Sequence, residues 1–475
     1  MEKNRAQWSN NLVFILAAIG SAIGMGNLWG FPYKMGANGG LPFLLIYLGM
    51  VILCGVVVTT VEMVIGRHTG KSPIMALAQL GKNWKVVGAF GVVSAFLIMG
   101  FYSVLIGYSI RYFMGFLTQI ALNLDGFAGA ASGMDFFVAF TSDVPSVIFY
   151  AFVTFVLCGV IVGAGVQGGL EKFNKVGIPA LFGILLVLIV YNLTLPGSAQ
   201  GLVFMFTTKG MEFAGTEFNF FSALRTAAGQ MLFSLSLGMG AIITYGSYLG
   251  KGESIAKNAW IIPAFDTLAA LMAGLAIFPA VFATGNSVNA GPGLLFITMH
   301  DVFTTMGGIG NMMGCLFYLL VIFAGVSSAI SLMEVVTASI IDARVAKGKE
   351  EKRGIVCALV AVGMFVLACL VCLDKLGFDG EAGFFYPLYQ HLAAGSQDLL
   401  DVFDLISEGF LMPLGATLMC VLVGWKMGVP WMKEEITQNG QKFYAEKFIT
   451  VCVKYITPVL MTFVLVSLFL SYFGV

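Results

Sequence analysis

Charge is what this chain has least of. Asp, Glu, Lys and Arg make up 11% of its 475 residues, divided evenly into 25 acidic and 25 basic. An ordinary soluble domain carries about 25%, so a water-facing surface is excluded. Zero net charge leaves no basic stripe for a nucleic acid. Histidine is scarcer still: His68, His300 and His391 stand far apart. Eight Cys lie scattered, nearly all in apolar runs, which excludes a secreted disulfide framework. The one close pair, Cys369 and Cys372, has no second Cys or His pair nearby to complete a zinc site. With 13 Pro against 42 Phe the chain is neither disordered nor fibrous. What remains is 59% apolar, with a mean hydropathy of +0.92 and 59 Gly. Glycine at that level fits membrane helices, whose backbones approach closely. The expected class is an all-α polytopic membrane protein.

A membrane helix needs about 20 mostly apolar residues to cross a core of about 30 Å. Runs of that kind fall near 11–35, 41–66, 87–121, 145–163, 174–194, 222–249, 257–283, 310–342, 354–373, 399–426 and 447–474. The first run lacks a small-residue cleavage site and leads straight into more membrane, so it reads as a span rather than a signal peptide. Eleven transmembrane helices put the termini on opposite sides. Basic residues gather in one set of loops, among them Arg67, Lys71, Lys82, Lys85, Arg344, Lys347, Lys349 and Lys352, while the other set carries Asp125, Asp135, Asp143 and Asp379. By the positive-inside rule the N-terminus is cytoplasmic and the C-terminus outside.

Two of the spans carry the same interruption. Span one reads Gly20-Ser-Ala-Ile-Gly-Met-Gly-Asn27 and span six reads Ser234-Leu-Ser-Leu-Gly-Met-Gly-Ala241. Each glycine weakens a helix by about 1 kcal/mol relative to alanine, and Ser and Asn beside it offer alternative hydrogen-bond partners. Taken singly, Gly-x-Gly serves close packing more often than not. Two matched copies five spans apart instead predict unwound segments lining a buried cavity, in an inverted five-plus-five repeat with an eleventh helix outside it. Half-helix N-termini suit a carboxylate, and freed carbonyls suit a small hard cation.

Trp8, the run from Gly20 to Asn27, Phe31-Pro32-Tyr33, Asn38-Gly39-Gly40, Glu62 with Gly66-Arg67, and the stretch from Ser234 to Tyr248 together resemble the neurotransmitter:sodium symporters. The likeness covers essentially the whole chain. It falls in the short bacterial amino-acid branch, whose members often stop at eleven spans. The resemblance implies a single transporter domain over 1–475, with repeats at about 11–194 and 222–426 and an extra helix at 447–474. It implies a sodium-coupled symporter in the cell inner (plasma) membrane, with an amino acid and the lipid bilayer as partners, a monomeric or weakly dimeric state, and no enzymatic activity.

The family's sites map onto this sequence residue by residue. The first sodium falls to Ala22, Asn27, Ser234 and Asp266, and the second to Gly20, Ile23, Ala324, Ser327 and Ser328. A carboxylate within an apolar span is expensive and by default functional. Chloride-dependent members use a neutral Asn where this chain has Asp266, and a Ser where it has Ala270, so no chloride is expected. Gly24 stands where monoamine carriers place an Asp, leaving room for the substrate's own carboxylate. That group is expected at the span-one amides near Gly26, at the first sodium and at the Tyr102 hydroxyl. Met25, Ile98, Phe233, Ser236, Met239, Ser328 and Leu332 would line a soft apolar pocket for a hydrophobic or aromatic α-amino acid.

The family's gates carry over unevenly. Arg5, Trp8, Ser247, Tyr248 and Asp342 match the cytoplasmic gate, with an expected Arg5–Asp342 ion pair, and Gly169 with Pro179 matches a Gly-x9-Pro motif that lets span five unwind. On the outer side the family's gate arginine is replaced by Gly30, and Glu408 lacks its usual partner. Either Lys34 substitutes, or closure rests on Tyr102 and Phe233 alone. The altered gate keeps open a non-transporting amino-acid sensor, or a symporter of a different small amine or zwitterion. An intramembrane enzyme would need a nucleophile–base pair or a metal cluster at one depth, and no His falls near the break motifs.

Overall fold

The computed structural model describes residues 7–215, 218–286, 288, 291–374, 383–390 and 398–472, and every regular element among them is helical. A bent pair comes first: α1 (Asn11–Ala22) and α2 (Gly26–Ala37), angled by 49°. Four unbroken helices follow: α3 (Leu41–Thr69), α4 (Lys82–Leu122), α5 (Val144–Gly163) and α6 (Val166–Leu193). Next come the two short helices α7 (Phe220–Ser234) and α8 (Ala241–Gly246), on either side of a non-helical stretch at 235–240. The chain continues with α9 (Ile255–Ala283), α10 (Gly308–Val345), α11 (Arg353–Asp374), α12 (Leu399–Ile436) and α13 (Glu446–Ser467).

Among the described residues nine of these helices are long and apolar enough to cross a bilayer, and the bent pair makes ten. The expected eleven is reached only by taking α7 and α8 as one interrupted crossing. Four crossings, α3 to α6, lie between the two interruptions, so the interrupted helices run in opposite directions, as an inverted repeat requires.

Two boundaries differ from the sequence expectation. The fifth span starts at Val166 rather than near 174, because Val166–Leu170 forms a wide π-type turn continuous with the helix. Glycine permits that turn: a Cβ on Gly169 would lie 1.8 Å from the Ile161 carbonyl oxygen. The tenth span continues past 426 to Ile436, since Pro430 occupies a first-turn position where its missing N–H costs nothing.

The helices sort by burial. α4 and α10 pack against each other along the middle of the molecule. The outer helices α5, α6 and α13 present Phe149, Val160, Val190 and Val459 outward, an apolar exterior that only lipid covers favourably.

Candidate functional site

The site begins with the two interruptions. Ile23, at the end of α1, turns extended at φ −75° and ψ 99°. In the second, Ser236, Gly238 and Gly240 take φ of +54°, +78° and +79°. A left-handed backbone is cheap for Gly but not for Ser, so Ser236 is held there by its surroundings: its hydroxyl donates to the Ser21 carbonyl oxygen at 2.8 Å.

Backbone groups freed by the unwinding find partners at once, as buried polar groups must. The Gly24 amide donates to Asn27 Oδ1 at 3.0 Å, and the Met25 amide to the Tyr102 hydroxyl at 2.9 Å. Gln230 Nε2 donates to the Gly26 carbonyl at 2.7 Å, and the Gly238 amide donates to Glu62 Oε1 at 2.7 Å.

Asp266 lies between the breaks and is fully buried. Asn27 Nδ2 donates to its Oδ1 at 2.8 Å and to its backbone carbonyl at 3.0 Å. The Ser234 hydroxyl lies 2.9 and 3.0 Å from its two carboxylate oxygens, and the Tyr47 hydroxyl donates to Oδ2 at 3.2 Å. All three donors are neutral. Among the described residues no basic side chain pairs with Asp266, and an isolated buried charge is strongly unfavourable. The arrangement is therefore complementary to a cation brought from outside, and its oxygen donors suit a hard one.

A second group of oxygens gathers between α1 and α10. Ser327 Oγ lies 2.8 Å from the Ala324 carbonyl and 3.4 Å from that of Ile23. Ser328 Oγ lies 3.5 Å from the Gly20 carbonyl and 3.1 Å from that of Ser21. Each hydroxyl also has a use inside the fold, so this geometry alone does not require an ion.

A small pocket separates the interruptions. Its wall includes Ala22, Gly24, Gly26, Ile98, Tyr102 and Phe233, with Ser236, Met239, Ser328 and Leu332 completing it. Ser21 also lines it, although nothing about its place in the chain singles it out. One expected lining residue, Met25, is absent: its side chain points toward α10, near enough that a Cβ on Gly325 would meet its Cε at 3.4 Å. Ser234, expected at the first sodium, is turned to Asp266. A Cβ on Gly24 would lie 2.4 Å from Ser328 Oγ and 2.5 Å from the Tyr102 hydroxyl. No side chain fits at that position.

Above Phe233 opens a larger vestibule, lined also by Tyr33, Lys34, Asp404 and Glu408. Phe233 lines both the vestibule and the cavity below it, where its ring centroid lies 6.4 Å from that of Tyr102. In its wall Lys34 Nζ meets Glu408 Oε1 at 3.3 Å, the pairing that the first of the two outer-gate alternatives needs. Lys34 sits one helical turn beyond Gly30. The space beside Gly30 is taken by Gln230, whose Oε1 would lie 2.8 Å from an added Cβ.

At the opposite end the molecule is shut. Trp8 Nε1 donates to the Tyr245 carbonyl at 3.0 Å, with the two rings edge to face at 5.2 Å. The Tyr248 hydroxyl donates to Glu334 Oε1 at 2.7 Å, and Arg353 pairs with the other oxygen of Glu334. Asp342 Oδ2 accepts from the Ser72 amide at 2.6 Å. Arg5 lies outside the described residues, and so does the expected Arg5–Asp342 pair. Ser247 donates to the Thr244 carbonyl of its own helix. Gly169 and Pro179 both fall on α6, Pro179 inside the helix.

The sequence reading missed Tyr47, Gln230 and Glu334. Of these only Glu334, a charge within an apolar run, left a signal that could have been followed.

The comparisons agree with this geometry. The sodium:neurotransmitter symporter family profile matches residues 5–124 and 140–474. An uncharacterized sodium-dependent transporter of Methanocaldococcus jannaschii is 30% identical over 461 residues, covering 92% of this chain and 85% of its own. YhdH of Bacillus subtilis, also an uncharacterized sodium-dependent transporter, is 30% identical over 472 residues and 98% of both chains. The crystal structure of MhsT in complex with L-phenylalanine superposes with a TM-score of 0.83 at 32% identity, over 98% of this chain and all of that one. The chain belongs to the sodium:neurotransmitter symporter family and is a multi-pass membrane protein working as a sodium-coupled symporter, not an enzyme.

Proposed function

We propose that the protein imports hydrophobic or aromatic α-amino acids together with two sodium ions, without chloride, by alternating access. The observation that carries this reading is Asp266: buried, served by three neutral donors, and without a basic partner among the described residues. The first sodium would neutralise it, bound also by the Ala22 carbonyl, Asn27 and Ser234. A fixed carboxylate leaves no charge for chloride to supply, and the fully buried Ala270 one turn away offers no hydroxyl to hold one.

The substrate's carboxylate would complete the first sodium's shell and meet the Tyr102 hydroxyl, in the space that Gly24 leaves free. Ile98, Met239 and Leu332 give the side chain an apolar environment. The L-phenylalanine bound in MhsT supports the same substrate class. The second sodium would join the Gly20, Ile23 and Ala324 carbonyls to the Ser327 and Ser328 hydroxyls, tying α1 to α10. With the N-terminus inside and the C-terminus outside, the vestibule is the external entrance and Trp8 closes the internal exit. Each sodium charge moved down the membrane potential provides about 2.3 kcal/mol per 100 mV. Because one ion would touch both Asp266 and the substrate, each ligand raises the other's affinity. The Lys34–Glu408 pair provides an outer gate, which favours transport over a sensor role.

The test is L-phenylalanine and L-leucine binding to the purified protein, with sodium present or absent and with chloride replaced by gluconate. Binding should need sodium and ignore chloride. Asp266→Ala should weaken it about 10- to 100-fold, the value of a hydrogen-bonded charge at roughly 1.5–3 kcal/mol, while Ala270→Ser should not. Sodium-dependent binding that survives in Asp266→Ala would refute the assignment of the first site.

A further inference from the structure

The second sodium site has a cover. Along α6, residues 173–178 pack against both elements that would supply its oxygens. Phe173 meets Phe323, the neighbour of Ala324, at a ring separation of 6.2 Å. Asn174 and Ile178 meet Gly20: a Cβ there would lie 2.1 Å from Asn174 Oδ1 and 3.1 Å from Ile178 Cδ1. Gly20 is thus the only kind of residue that lets Asn174 come so close.

Asn174 is fully buried. Its Nδ2 donates to the Leu170 carbonyl of its own helix at 2.9 Å, which fixes the amide with its oxygen toward α1. That oxygen has no hydrogen-bond partner among the described residues. A buried carbonyl oxygen without a donor is a standing cost, and the other side chains of this cover are Phe and Ile, which would fill the space without it. Asn174 also lies between Gly169 and Pro179, on the stretch of α6 least suited to staying helical. One turn nearer the Trp8 end on the same face is Glu171, whose carboxylate holds the Ser9 amide at 2.8 Å and the Ser9 hydroxyl at 3.0 Å.

We propose that Asn174 Oδ1 is a transfer ligand for the second sodium, the protein oxygen that takes over the ion as it leaves the carbonyls of α1 and α10 for the interior. The inference rests on the second-site reading given above. A sodium ion stripped of ligands in a low-dielectric interior is held back by the lost solvation. An amide oxygen already waiting on the departing side replaces one ligand before water arrives. A neutral amide suits that task, because a carboxylate at the same point would trap the ion. When α6 loosens, the oxygen moves with the helix and draws the exit route toward Glu171.

The test uses the full-length protein in proteoliposomes, with sodium itself as the probe. Sodium-dependent L-phenylalanine binding gives the equilibrium affinity, and a stopped-flow sodium indicator inside the vesicles gives the release rate. Asn174→Leu keeps the volume and removes the oxygen. It should slow release about tenfold while shifting half-saturating sodium by less than about threefold, because it acts on a passing ion and not a seated one. Asn174→Asp should bind sodium more tightly and also release it slowly, and Asn174→Thr, which restores a smaller oxygen, should recover part of the rate. Wild-type release in Asn174→Leu overturns the proposal. So does a loss of equilibrium affinity equal to the loss of rate, which would mark a packing role. Ser327→Ala tests the underlying site separately. If it leaves sodium affinity untouched, the second-site reading fails whatever Asn174 does.

Discussion

At the scale of single residues, the substrate cavity is shaped by an absence. Gly24 faces Ser328 and Tyr102 so closely that one added methyl group would overlap two hydroxyl oxygens. Both neighbours are tied into the first break: the Tyr102 hydroxyl accepts from the Met25 amide, and Ser328 donates to the Ser21 carbonyl of α1. Gly24→Ala should therefore displace one or both of these hydroxyls and bind L-phenylalanine at least about tenfold more weakly, the effect of moving one or two positioned hydrogen bonds. Isothermal titration in saturating sodium measures it, and unchanged affinity would remove Gly24 from the site. Asp266 shows the converse logic, in which a costly buried carboxylate would have its cost offset by the proposed sodium ion. Tyr47 completes its shell, yet in sequence Tyr47 is one more aromatic in an apolar run, and only the packing of α3 beside α9 gives it meaning.

At the scale of elements, the interruptions were legible because Gly-Met-Gly occurs twice and five spans apart, a pattern that chance packing does not produce. Their stabilisers were not legible. Glu62 and Gln230 come from α3 and α7, and nothing in local sequence says which backbone groups they will reach. The Lys34–Glu408 pair shows the same limit. The sequence shows a missing arginine and a Glu408 without its usual partner, while only the approach of α2 to α12 shows that Lys34 reaches it. With side chains only 14% and 12% exposed, the pair is largely out of water, and removing Lys34 leaves the Glu408 charge uncompensated. Lys34→Met should therefore speed substrate dissociation to the vestibule side by about tenfold, and the exchange Lys34→Glu with Glu408→Lys should restore it. In α6, Pro179 removes a helical hydrogen bond where the helix would loosen in the proposed cycle. Pro179→Ala should protect amides 166–178 from hydrogen exchange and slow net uptake, with sodium-dependent binding retained. Faster uptake with unchanged exchange would contradict a hinge at this point.

At the scale of the whole molecule, ligands act as structural members. Sodium would join α1 to α9 at one site and to α10 at the other, so its removal should loosen the bundle rather than a single loop. At a hundredfold excess over its dissociation constant, a ligand specific for the folded state adds about 2.7 kcal/mol. The melting temperature in detergent should rise with sodium, rise further when L-phenylalanine is added with it, and respond little to L-phenylalanine alone. Equal stabilisation by the amino acid in potassium would argue against coupling. The architecture leaves one end open through the vestibule and the other shut by Trp8, Tyr248 and the Glu334–Arg353 pair. These closures draw on α8, α10 and α11 and on the segment before α1, so opening that end has to be cooperative.

The sequence by itself determined the class, the family likeness and the two places where helices break, because hydropathy, glycine spacing and an intramembrane carboxylate are properties of residue type and order. Only the tertiary structure decided which oxygens face one another: that Tyr47 serves Asp266, that Met25 turns away from the cavity, that Lys34 reaches Glu408, and that the Asn174 oxygen is left without a donor among the described residues. Those outcomes depend on helix rotation and crossing, which are set by side-chain packing summed over distant parts of the chain. No local pattern encodes that sum.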